Sequence, residues 1–110
     1  MTRASDLREI AATAARAASD VPGVAHLTPR LADRLRPAVL PTTRTPGVRV
    51  LPHDTTRLTT VDISLAVHAG HQATTVARQV RVAVIEALHA DHPRVWATEV
   101  TVSVTVTAIV

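Results

Sequence analysis

The stretch Val61-Asp62-Ile63-Ser64-Leu65-Ala66-Val67 decides the fold, and Val100-Thr101-Val102-Ser103-Val104-Thr105-Val106 is its counterpart near the end of the chain. A side-chain period of two sends alternate residues to opposite sides of a sheet. Val61, Ile63, Leu65 and Val67 are therefore expected in a core together with Val100, Val102, Val104 and Val106. Asp62, Ser64, Ala66 and His68 belong to the other side, as do Thr101, Ser103, Thr105 and Thr107. Val48 and Val50 around Arg49 make a shorter third case. The Thr/Ser side can face water or a partner. It lacks the groups that usually do chemistry, which points to a scaffold or interaction module.

Two segments carry a helical period instead. Residues 72–90 place Val76, Ala77, Val80, Val84, Ala87 and Leu88 on one stripe, which Val82 and Ile85 are expected to widen. Residues 5–19 place Leu7, Ile10, Ala11, Ala14 and Ala18 on one face, with Ser5 or Asp6 as a cap and Asp6 and Glu9 at capping-box spacing. Val21-Pro22-Gly23-Val24 reads as a turn and 24–27 as a short strand. Thr28-Pro29 has the form of an N-cap and first helical residue for a short helix over 30–36. Strands are expected over 48–51, 58–69 and 95–110, the first two as an antiparallel hairpin. If the strands flanking the second helix are parallel, the connection between them should be right-handed. The pattern predicts an α/β two-layer sandwich: a mixed sheet of three to four strands with two main helices on one face. Residues 1–110 read as one domain, with 28–45 an irregular Pro/Arg-rich segment expected to be more mobile than the rest.

Composition narrows the function further. The 110 residues contain no cysteine and no lysine, and their only aromatic residue is Trp96. Disulfides, thiolate zinc sites and thiol catalysis are excluded. No signal-peptide pattern opens the chain and no apolar run reaches membrane-spanning length, so a cytoplasmic protein without a transmembrane segment is expected.

Five pieces in order resemble the alkaline shock protein family, the envelope stress response family of Gram-positive bacteria. They are the Ala/Ile helix running into Val21-Pro22-Gly23-Val24, then Gly47-Val48-Arg49-Val50, then residues 61–67 closed by Gly70. The helix Val76-Ala77-Arg78-Gln79-Val80 with Val84 follows, and Val102-Ser103-Val104-Thr105-Val106 with Ile109 ends the series. Ala69 and Ser103 stand where that family usually has tyrosine and asparagine. The resemblance implies a non-enzymatic protein linked to cell-envelope stress. Such a protein would act by self-association or by binding an envelope-associated partner, and it would reach the membrane through that partner. The family brings no catalytic residues to carry over.

Catalytic, cofactor and metal sites are not expected. His68 and His71 are three apart, as are His89 and His92, but about 27 Å of helix lies between the pairs. Exposed histidines near helix ends account for them. The carboxylates Asp62, Glu86 and Glu99 fall on different elements, Ser5, Ser19, Ser64 and Ser103 lack a nucleophile-elbow setting, and Gly70 stands alone.

The charge distribution supports a different function. The formal charge is +3, and Arg30, Arg34, Arg36, Arg44, Arg49 and Arg57 against Asp33 and Asp54 concentrate the surplus in one segment. With Ser64, Ser103 and Thr105 these arginines form the candidate partner surface. The alternative function is a small arginine-rich nucleic-acid-binding module. Against it, the open sheet face offers no aromatic on which a base could stack. Trp96 fits either a lid over the helix end or an exposed anchor.

Overall fold

The computed structural model describes residues 4–29, 47–52, 58–91 and 99–110. Along the chain these form α1 (Ala4–Ser19), β1 (Val24–Leu27), β2 (Val48–Pro52), β3 (Leu58–Val67), α2 (Ala73–Asp91) and β4 (Glu99–Ile109). The short helix expected over 30–36, the mobility expected of the Pro/Arg-rich segment, and Trp96 all lie outside the described residues.

β3 is the centre of a four-stranded mixed sheet. β4 runs parallel to it along its whole length, from Leu58 opposite Glu99 to Val67 opposite Ile109. The other edge of β3 is shared by two short antiparallel strands. β2 pairs residues 59–63, with Val48 opposite Ile63, and β1 pairs residues 65–67, with Val24 opposite Val67. The handover falls on Ser64: its N–H donates to the Gly47 carbonyl at 2.8 Å, and its carbonyl accepts from the Thr28 N–H at 2.9 Å. Gly47 makes this close approach at φ +82, where an added Cβ would stand 2.9 Å from the Leu27 Cβ and 3.0 Å from the Ser64 carbonyl oxygen. Only glycine reaches that conformation without steric cost.

Both helices lie on one face. Leu7, Ile10, Ala11, Ala14 and Ala18 of α1 join Val76, Val80, Val84 and Leu88 of α2 over Val48, Val50, Val61, Ile63, Leu65, Val67 and Val102. The alanines leave α1 a thin face, so the helix sits close to the strands, while the bulk comes from β-branched side chains. Burying each Val, Ile or Leu contributes about 1.5–3 kcal/mol. The core thins toward β4, where Val100, Val104 and Val106 are only partly buried, because no further strand flanks them among the described residues.

Three expectations are corrected. Val82 does not widen the stripe of α2; it is 55% exposed. The buried residues repeat every four positions, and at 100° per residue Val82 lands on the opposite side of the helix. α1 begins at Ala4, so Ser5 and Asp6 lie in its first turn and do not precede it. Ser64 is not on an open surface but 1% exposed, and Ala66 beside it is fully buried. Both residues lie on the central strand, which has partner strands along both edges.

Candidate interaction surface

The sheet face away from the helices is assembled by register. Leu51, Thr60 and Thr101 form one row across β2, β3 and β4; Arg49, Asp62 and Ser103 form the next; Ser64 and Thr105 follow. Thr101, Ser103 and Thr105 are exposed, and Leu51, Arg49, Thr60 and Asp62 are half-buried. Arg49 and Asp62 are directly opposite, a cross-strand arrangement that contributes about 0.2–1 kcal/mol and removes net charge from the middle of the face.

Of the candidate residues, the structure brings together Arg49, Ser103 and Thr105 on this one face. It removes Ser64, which is buried. Arg30, Arg34, Arg36, Arg44 and Arg57 lie outside the described residues. Thr28, read from the sequence as a helix cap, turns its hydroxyl to that of Thr107 at 2.7 Å, and the Thr107 hydroxyl also lies 3.2 Å from the Leu65 carbonyl, to which it donates. This bridge joins the strands on either side of β3. Thr107 can reach because the β3–β4 register slips after Leu65, so Ala66 stands opposite Ala108 and Thr107 becomes the extra residue of a bulge. No sequence signal marks a contact between residues 79 positions apart.

β4 closes the face on one side. Among the described residues it pairs with β3 alone, and none of them pairs with its outer edge. Ile109 and Val110 at its end are 62% and 57% exposed. After Glu99 the strand contains neither charge nor proline, the two commonest devices that block an edge.

The remaining polar features are sparse. A shallow groove between the end of α1 and the start of α2 is lined by Val21, Pro22, His71, Thr75 and Gln79, with no carboxylate. His68, His71 and His89 are exposed, and among the described residues no three His, Cys, Asp or Glu side chains converge. The Arg16–Asp91 ion pair linking the helices spans 3.5 Å with both side chains largely in water. No described helix is long and apolar enough to cross a membrane.

Several solved structures share this fold, and they are forms of MamM CTD. The copper form matches with a TM-score of 0.52 at 16% identity, over 94% of this chain and 87% of that one. A doubly substituted variant matches with a TM-score of 0.52 at 17% identity, over 94% of each chain. The zinc form of a singly substituted variant gives 0.52 at 15% identity, over 94% and 87%. At such identity the likeness is one of fold. No protein-family model matches the chain, and no curated protein matches it.

Proposed function

We propose that this protein is a non-enzymatic assembly module, acting by self-association and by binding an envelope-associated protein in the cytoplasm, where it serves the response to cell-envelope stress. The observation that carries this reading is the exposed sheet face of Thr101, Ser103 and Thr105, on the side away from both described helices and continuous with a β4 edge that has no charge after Glu99. Such a surface has no chemistry to offer a substrate, and it is suited to burial against another sheet or strand. The ordered resemblance to the alkaline shock family supports the envelope link. MamM CTD shares the fold and was obtained in copper and zinc forms. Metal binding is not carried over, since a likeness at 15–16% identity is one of fold alone.

The nucleic-acid alternative loses ground on this face. Its one described arginine, Arg49, stands half-buried opposite Asp62, and none of the described residues on it is aromatic.

Light scattering from submicromolar to high micromolar protein tests self-association. A monomer at every concentration and pH would remove it and leave only a heterologous partner. Native purification should recover membrane-anchored proteins; recovery of RNA or DNA instead would favour the alternative. A deletion strain with unchanged tolerance to alkaline and cell-wall stress would remove the envelope assignment.

A further inference from the structure

We propose that a second copy of this chain pairs its β4 antiparallel along the free edge of β4, with Ser103 facing Ser103 across the two-fold axis, so that one sheet runs through both copies. This rests on the self-association reading and specifies its geometry.

The backbone directions follow from bonds already described. Ser64 turns its N–H to the Gly47 carbonyl and its own carbonyl to the Thr28 N–H, away from β4. Strand residues alternate, so Val61, Ile63 and Leu65 turn theirs toward β4. In a parallel ladder, when one member of an opposed pair faces its neighbour strand, the residue opposite turns its own groups away. Val102, Val104 and Val106 are those residues, and Val100 continues the series. These four turn their N–H and carbonyl groups to the outer edge, where no described residue pairs with them.

Antiparallel pairing of two such edges has one best register. Val100 opposite Val106 and Val102 opposite Val104, each taken twice by symmetry, make four pairs of two bonds, about eight hydrogen bonds. Shifting the axis to Val104 sets Val100 opposite Ala108. That position lies beyond the bulge, where the outward alternation is broken, and a pair is lost. In the best register Ser103 meets its own copy and Thr101 meets Thr105, all on the open face. A self-pairing edge must tolerate its own residues opposite themselves, and like charges there are destabilising. From Val100 to Val110 there are none. The edge is thus self-complementary by symmetry, as a two-fold interface requires.

The test uses the full chain. Analytical ultracentrifugation gives the dimer dissociation constant, and amide hydrogen exchange by NMR is followed above and below it. The amides of Val102 and Val104 exchange fast in the monomer and should be protected at least about tenfold in the dimer. Ser103→Lys should weaken the dimer about tenfold while the dilute monomer keeps its thermal midpoint. Thr105→Lys should also weaken it, and Thr101→Glu with Thr105→Lys in the same chain should recover it. A dimer in which Val102 and Val104 still exchange freely would overturn the edge inference and leave assembly through the open face standing. Protected amides without recovery in the paired variant would overturn the register. A monomer throughout would overturn the inference and the self-association reading together.

Discussion

Replacing Gly47 and Gly70 separately by alanine tests the handover at Ser64. Both glycines have positive φ, +82 and +96, so both substitutions carry the same backbone penalty of about 1–2 kcal/mol. Both also gain the same unfolded-state stabilisation, about 0.4–1 kcal/mol. Their surroundings differ. Nothing lies within 4 Å of a Cβ at Gly70. At Gly47 that Cβ meets the Leu27 Cβ at 2.9 Å, the Ser64 carbonyl oxygen at 3.0 Å and the Thr28 N at 3.2 Å. None of these is the far end of a flexible side chain, so β1 and β2 must separate. The Ser64–Gly47 and Thr28–Ser64 hydrogen bonds then lengthen together, at about 1 kcal/mol each. Gly47→Ala should therefore cost about 2 kcal/mol more than Gly70→Ala. In a chain of this size that is roughly 8 °C or more in thermal midpoint. Urea denaturation of the two variants side by side gives the difference directly and cancels the shared backbone and unfolded-state contributions. Equal losses would refute the handover as the source of strain.

Ile63→Ala removes a fully buried side chain at the middle of β3 and should cost about 2–5 kcal/mol in chemical denaturation. Val82→Glu, on the exposed side of α2, should change stability by less than about 0.5 kcal/mol; a core-sized loss would contradict the position given to Val82. Arg16→Ala should be nearly silent in thermal melts at both low and high salt, because an exposed ion pair contributes little. Thr107→Val keeps the shape but deletes the hydroxyl that meets Thr28 and Leu65, and about 1 kcal/mol should be lost. A double-mutant cycle with Thr28→Val should show coupling between the two sites.

The alternating runs at 61–67 and 100–106 made both long strands and their buried side legible in sequence, because a period of two constrains every residue in the strand. The four-residue repeat of Val76, Val80, Val84 and Leu88 did the same for α2. Val82 misled because a helix with many apolar residues hides which of them lie off the stripe. Ser64 misled for another reason: alternation says which face a residue takes but not whether that part of the face is open. That depends on β3 being central, with three partners on its two edges, and no local pattern encodes strand order. The Thr28–Thr107 bridge was invisible for the same reason, since it depends on a register slip between strands that are distant in sequence. On the interaction surface, residue type and periodicity exposed Ser103 and Thr105. Arg49 was legible as a charge but not as the residue opposite Asp62.

Thr28 and Gly47 are both held by the polar backbone atoms of one residue, Ser64. The two positions are therefore almost coincident, with the Thr28 nitrogen only 3.2 Å from where a Gly47 side chain would begin. A junction of this kind works as a clasp: one residue on β3 fixes two points of the chain that are distant in sequence. The entropy of bringing two such points together grows slowly with their separation, about 0.6 kcal/mol for each doubling. What holds β1 and β2 in line on the same edge of β3 is thus the pair of bonds at Ser64 and the absence of a side chain at Gly47.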